Sequence, residues 1–450
     1  MAMEREGEVQ GDLVVTWAEM PRSPGHAFYD RLHKLLTEAG FDAFVETTCK
    51  PFYAPRMGAP SLPPGRYFRM HMIGYFEGST ASAASPGAVR IRCRFASSCA
   101  WRAATRFPII PGCRRRAAAC RTRCMKRSSA GVLAIVAERG LVKGERIGVD
   151  GSTMEANAAL RTIVRRENGE TYRQMLTHMA QESGVATPTI DDLVRLDRAR
   201  RGKKLSNEDW TSPTDADAKI ARMKDGTTHL AYKPEPAVDL DTGVIVAAPI
   251  HPADEGDTTT LAGTLEAAAR NLAGIGLVPS EAEPCVLVGD KGYHSREGLK
   301  DLDGGVWKTR IAEPKPANGY LRWRGDEAAR HAVYANRARL KSDVGRDAMR
   351  KRGEMVERSF AHVLERGGMR RAWLRGLENV HKRYLLHVAG FNLGILMRAL
   401  FGCGTPREAA SAISALLFVI HTDVALALAM IADVNGETVM LVVVVAPEPG

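Results

Sequence analysis

The sequence predicts an α/β protein, a mixed sheet flanked by helices with a small helical unit ahead of it. Three observations lead there. Two β-branched runs, Arg146-Ile-Gly-Val-Asp-Gly151 and Cys285-Val-Leu-Val-Gly-Asp-Lys-Gly292, each end in Asp and a nearby glycine. Each reads as a buried strand with a carboxylate at its C-terminal end. Between them, His229 to Lys233, Ala237 to Leu240 and Val244 to Ala247 read as strands, with Asp241-Thr-Gly243 as a hairpin turn. Further on, Val356, Phe360, Val363 and Leu364 recur at i, i+4, i+7 and i+8, which places them on one apolar helical face. The linear order of strand, strand pair, helix, strand and helix suits a mixed sheet with helices packed on it.

Each element follows from local chemistry. Residues 1–20 carry mixed charge and little periodicity, so a frayed start is expected. Ser23-Pro24 offers an N-cap and first-turn proline for a helix through about Ala39, with Phe28, Leu32, Leu35 and Leu36 on one face and Gly40 ending it. Prolines at 51, 55, 60, 63 and 64 constrain the next loop, and Met70, Ile73 and Phe76 space a helix over 67–76. Residues 1–77 thus form a helical N-terminal unit. Val132, Ile135 and Val136 predict a helix ending at Gly140, ahead of the first Asp strand. Glu155 to Arg166 reads as a helix or ordered turn, and the polar stretch 186–228 as an insertion. Thr258 to Leu272 is a helix with Leu261, Leu265 and Ala268 on one face. A long apolar helix runs to about Leu400, closing a core of 131–400. Residues 401–450 form an apolar tail ending in the strand-like run Val439-Met-Leu-Val-Val-Val-Val445.

Charge is unevenly spread. The net charge is +11, yet no Asp or Glu lies between Glu77 and Glu138 while twelve Lys or Arg do. Removing those twelve from the 63 basic residues leaves 51 against 52 acids. Overall basicity is therefore weak evidence for a polyanionic partner; the clusters at 350–358, 366–375 and 381–383 are better evidence. The acid-free stretch 78–129 holds five of the eight cysteines (Cys93, Cys99, Cys113, Cys120 and Cys124) and shows no sustained apolar period. It reads as a basic arm, a disordered linker, or the product of a GC-rich gene read out of frame; the third reading accounts for all its oddities together. No Cys-x-x-Cys pair occurs, and the cysteine spacings fit no zinc module. A reduced cytoplasmic setting is the default, since the N-terminus shows no signal peptide. No run reaches the roughly eighteen apolar residues of a membrane span.

Strand-Asp, strand-Asp and helix-Glu form a constellation with a chemical use. Asp150, Asp290 and Glu357 are the acids it brings forward. Three convergent carboxylates can hold two Mg²⁺ or Mn²⁺ ions, which activate a water or hydroxyl and stabilise the leaving oxygen in phosphoryl transfer. Glu354, one turn earlier, is the alternative third acid, but it lies off the row of Phe360. His251, His331 and His362 have no ligand spacing and read as structural; His294 reads as a solvent-facing turn residue.

These stretches resemble a family. Gly148-Val-Asp-Gly-Ser-Thr-Met-Glu-Ala-Asn-Ala158, Val288-Gly-Asp-Lys-Gly-Tyr-His-Ser295, Glu357-Arg-Ser-Phe-Ala-His362 and the Gly-Gly-Met-Arg-Arg-Ala-Trp-Leu-Arg-Gly-Leu-Glu-Asn-Val block after it resemble the DDE transposases of bacterial insertion sequences. The resemblance covers 131–400 well and 17–77 less specifically, and stops across 78–129. It implies an RNase-H-like catalytic core, a DNA-end-binding N-terminal unit, and Asp150, Asp290 and Glu357 as the metal-holding triad. It further implies double-stranded DNA as partner, at element ends and target, a homodimer on those ends, a nucleoid-associated cytoplasmic location and no membrane. Related transposases often carry His where this chain has Pro236, a residue that cannot donate to a strand. Arg352, Arg370, Arg371, Arg375, Lys382 and Arg383 are the expected phosphate contacts. Two rivals stand beside a cutting-and-joining transposase: a DNA-binding relic, and a stand-alone metal-dependent nuclease.

Overall fold

Buried β-branched residues decide which strands enter the central sheet. In the computed structural model, which describes residues 26–53, 63–78, 122–200, 205–223, 226–315, 323, 325–411 and 424, the strands run in chain order as follows. They are β1 (Arg146–Val149), β2 (Met154–Glu155), β3 (Val164–Arg165), β4 (Trp210–Thr211), β5 (Lys219–Arg222) and β6 (Thr228–Pro234). After these come β7 (Ala237–Asp239), β8 (Ile245–Ala247), β9 (Ile250–Pro252), β10 (Cys285–Gly289) and β11 (Trp307–Ile311). The central sheet has the order β11-β10-β1-β7-β8. β10 is parallel to both β1 and β11, whereas β7 is antiparallel to both β1 and β8. Ile147, Val149, Leu287 and Val288 are 0% exposed, which is why the two Asp strands occupy its middle. A second sheet, β2-β6-β5 with β9 also on β6, lies beside it, and β3 pairs with β4.

The helices are α1 (Ala27–Glu38), α2 (Phe41–Cys49), α3 (Pro64–Phe76), α4 (Thr122–Glu138), α5 (Tyr172–Glu182) and α6 (Ile190–Ala199). Then follow α7 (Asp257–Ala273), α8 (Arg296–Leu302), α9 (Glu327–Lys341), α10 (Asp343–Phe360) and α11 (Leu377–Phe401). α10 lies across β1, β7, β10 and β11, and continues into a π-helical stretch, Ala361–Arg366. α11 is buried along most of its length and packs on α3 and α4. The N-terminal helices share one apolar core with both sheets. The expected faces of α1 (Phe28, Leu32, Leu35, Leu36) and α7 (Leu261, Leu265, Ala268) are buried. Gly40 joins α1 to α2 at φ +62°, a conformation a side chain would oppose.

Several expectations need correcting. Residues 122–129 belong to α4 and pack: Cys124, Met125 and Ser128 are at most 2% exposed, and Thr122 donates its hydroxyl to Glu378 at 2.9 Å. Three apolar or small side chains at helical spacing suffice to seat this end of the helix, despite the absence of acids. The rest of the anomalous segment, 79–121, lies outside the described residues, as do Ser23-Pro24 and most of the tail. Of the two readings of Glu155 to Arg166, the helix is absent and the ordered turn is present, as the 3₁₀ turn Leu160–Thr162 between β2 and β3. The polar stretch 186–228 contributes α6, capped by Thr189 and Asp192, and β5, which pairs with β6. Pro236 falls in the two-residue break between β6 and β7, where the chain crosses from one sheet to the other; no ladder donor is lost there. Leu377–Ser411 does reach the length and apolarity of a membrane span, but 67% of its apolar window is buried inside the protein, as in a core helix.

Candidate active site

β1 and β10 are adjacent and parallel, pairing Gly148 with Val288. Two residues further along each strand come Asp150 and Asp290, so the register places both acids at the same sheet edge. The Asp150 side chain is 25% exposed and that of Asp290 39%. Asp290 also caps the 3₁₀ turn Lys291–Tyr293, accepting the Gly292 N–H at 2.8 Å. Their rigidity comes from sheet hydrogen bonds, their access to water from the strand ends.

Both carboxylates face one cation. Arg352 Nη2 on α10 lies 2.6 Å from Asp150 Oδ2 and 3.9 Å from Asp290 Oδ2. Its stem runs over Gly148, where a β-carbon would come within 3.2 Å of Arg352 Cγ. Its Nε is enclosed with no hydrogen-bond partner among the described residues. Arg352, expected on the DNA-facing surface, therefore sits inside the acid pair. Glu357 does not join it. Five residues after Arg352, it lies about 140° around the helix, and it is exposed while Val356 and Phe360 are buried. Glu354 is exposed too, paired with Arg358 at 2.7 Å. Among the described residues no group of three or more His, Cys, Asp and Glu side chains is arranged to hold a metal ion.

Behind the pair lies a charged network that sequence reasoning missed. Asp257, at the start of α7, pairs with Lys233 at 2.6 Å. A β-carbon on Gly292 would overlap Asp257 Oδ2 and lie 3.0 Å from Asp290 Oδ1, so those two carboxylates flank the glycine. Lys233 also donates to Thr260 Oγ1 at 2.9 Å and lies 3.5 Å from Glu235 Oε1. Glu235 is 0% exposed. It accepts from Tyr293 and Thr260, each at 2.8 Å, and from Thr264, with His251 Nε2 at 3.4 Å. Burial pushes its carboxyl up, but the bonds from His251, Thr264, Thr260 and Tyr293 outweigh this and hold it down at about 2. Burial and the Glu235 charge raise the Tyr293 phenol far above its ordinary value. The only sequence trace of this network was an acid between two prolines in an apolar run, and an Asp opening a helix.

The remaining expected DNA contacts divide by burial. Lys382 and Arg383 are buried, the first ion-paired with Glu378 at 3.1 Å, the second with its pKa lowered by burial; they fill the packing of α11 and do not face DNA. Arg370, Arg371 and Arg375 lie on the surface beside the Asp150 turn. Arg370 donates to Ser152 Oγ at 2.8 Å and pairs with Glu365 at 2.6 Å. The Ala372 N–H bonds the Glu155 carbonyl at 2.7 Å, which fixes this segment against β2. His294 is only partly exposed and its Nε2 is enclosed, so it is not the solvent-facing residue expected. Compared with protein families, residues 200–393 match the one described as the transposase DDE domain, an interval that includes Asp290 and Glu357 and begins after Asp150. Neither a curated protein nor a solved structure matches the chain.

Proposed function

From the match of residues 200–393 to the family described as the transposase DDE domain, we propose that the chain is a DNA transposase, cutting at the ends of a mobile element and joining the freed 3′-hydroxyl to a target. The observation that carries this reading is the pair Asp150 and Asp290, at the ends of adjacent parallel strands and sharing one cationic group. A mixed sheet with α10 laid across it is compatible with an RNase-H-like core.

The donor set fits hard divalent ions. Two carboxylates already gather one positive charge, and Mg²⁺ is commonly held by one or two carboxylates together with substrate phosphates. Asp150 and Asp290 would hold Mg²⁺ or Mn²⁺, two ions in this reading, with Glu357 as the third acid. Support for Glu357 is its place in the Glu357-Arg-Ser-Phe-Ala-His block, not its position beside the pair. When bound, such ions activate water or a 3′-hydroxyl and offset charge on the phosphate. The chain's own groups do the rest. The sheet holds the two acids at fixed separation, Arg352 balances their charge, and Arg371 and Arg375 offer cations to the phosphate backbone. The N-terminal helices would bind element ends, two copies would pair on them, and the enzyme would work on nucleoid DNA in the cytoplasm.

A plasmid carrying two element ends, incubated with Mg²⁺, tests the proposal. Joined products are expected. Cleavage without joining would instead mean a nuclease. Binding without cleavage would mean a relic, a reading that the acid-free composition of 78–129 favours.

A further inference from the structure

Glu235 is the most enclosed acid near the site, and the chemistry above does not use it. Its surroundings connect both aspartate turns. On one side, the carbonyl of the preceding Pro234 accepts the Ser152 N–H at 3.0 Å, two residues after Asp150. On the other, Glu235 Oε1 accepts the Tyr293 hydroxyl at 2.8 Å, three residues after Asp290. The Tyr293 hydroxyl also lies 3.6 Å from where a β-carbon of Gly151 would sit, so the phenol passes beneath the Asp150 turn on its way to Glu235. Tyr293 is 2% exposed and its N–H bonds back to the Asp290 carbonyl at 3.3 Å.

We infer that Glu235 is a positioning residue: through Tyr293 and the Pro234 carbonyl it fixes the spacing of Asp150 and Asp290 for a shared divalent ion. The inference rests on the metal-dependent reading of the aspartate pair. Five neutral or cationic groups, Tyr293, Thr260, Thr264, His251 and Lys233, converge on a carboxylate that touches neither reacting atoms nor solvent. A buried acid with one donor would be an ordinary packing device. This one has its two oxygens divided: Oε1 takes Tyr293 from the Asp290 turn together with Thr260 of α7, and Oε2 takes Thr264 of α7 and His251 of β9. The division lets position and stability be separated by experiment.

The full-length chain, as wild type, Tyr293→Phe, Thr264→Val and Glu235→Gln, is titrated with Mn²⁺ by electron paramagnetic resonance, and each melting temperature is recorded. Tyr293→Phe cuts the bond toward the aspartates and Thr264→Val the bond away from them. Both should lower the melting temperature, but only Tyr293→Phe and Glu235→Gln should weaken Mn²⁺ binding, by about 10-fold or more, as loss of an outer partner of a metal ligand does. The double variant Glu235→Gln/Tyr293→Phe should be no weaker than the worse single one, because both act through one bond. If Mn²⁺ affinity falls equally in Thr264→Val, or stays unchanged in Tyr293→Phe, Glu235 is a packing residue and the inference is wrong. If the wild type binds no Mn²⁺, the metal reading itself fails and the inference falls with it.

Discussion

A guanidinium between two carboxylates is the feature of this site with the clearest consequences. Arg352 supplies the charge that Asp150 and Asp290 require when no other cation is near, and a like charge in the same place opposes a second cation. Replacing it by Ala should therefore tighten Mn²⁺ binding while lowering thermal stability, since its stem covers Gly148 and two acids lose a partner. Weaker Mn²⁺ binding by Arg352→Ala would show that it orders the aspartates and does not compete for them. Asp150→Asn and Asp290→Asn each remove a charge from the pair, and Glu357→Gln removes the proposed third acid. Each should cost Mg²⁺-dependent cleavage more than the roughly 10–100-fold typical of an outer partner, with DNA binding retained. Normal cleavage by Glu357→Gln would remove that residue from the mechanism. The two aspartates were legible in the sequence because a strand ending in Asp and glycine declares both burial and position. Arg352, Glu235, Lys233 and Asp257 were not, because their roles depend on which elements meet across the sheet edge. No local spacing encodes that meeting.

Whole elements carry two further tests. The segment 370–375 is fixed to β2; Arg371 and Arg375 are exposed and held loosely, by Glu155 at 3.7 Å and the Asn157 carbonyl at 3.3 Å, whereas Arg370 is held closely by Glu365 at 2.6 Å and Ser152 at 2.8 Å. Replacing Arg371 and Arg375 together by Ala should weaken binding to all duplex sequences alike and flatten the salt dependence by about 0.9 per lost contact. Adding Arg370→Ala should change the slope little, since its two protein contacts are shorter than those of Arg371 and Arg375; a slope change equal to that of the other two would place it on the phosphates as well. α4 gives the second test. Its first turns come from the acid-free stretch, yet Met125 and Leu133 are each 2% exposed against the N-terminal helices and α11. Met125→Ala and Leu133→Ala should each destabilise the protein by about 2–5 kcal/mol in denaturant unfolding. No effect at Met125 would mean that this end of the helix does not pack. Strands and helices with an uninterrupted period, such as β1, β10, α1 and α7, were readable in advance. The start of α4 was not, because composition there pointed away from order while three side chains at helical spacing were enough to seat it.

At the scale of the whole molecule, acid should weaken this protein in two stages. α11 brings His387, 8% exposed, into the core, where burial and the charges of Arg383 and His71 drive its pKa well below the ordinary value. Burial, with Arg383 beside it, lowers His71 to about 4, and burial, with Lys126 and His251 nearby and the Ala248 carbonyl opposing, lowers His381 to about 4. These rings are neutral in the folded chain and titrate near 6.5 once unfolded. Unfolding below pH 6.5 therefore takes up protons, so their stabilisation is complete above about 6.5 and declines as the pH falls toward 4. His71 and His381 keep an edge in contact with water, which reduces their share. Glu235 acts lower down. Its folded value near 2 lies below the 4.5 of a free glutamate, so its contribution is lost only as the pH falls from about 4.5 toward 2. Urea unfolding followed between pH 8 and 4 should show stability falling mainly below 6.5, and His387→Gln, which leaves no ring to protonate, should flatten that part of the curve. A profile unchanged by His387→Gln would mean that the buried imidazole is not what links this fold to pH.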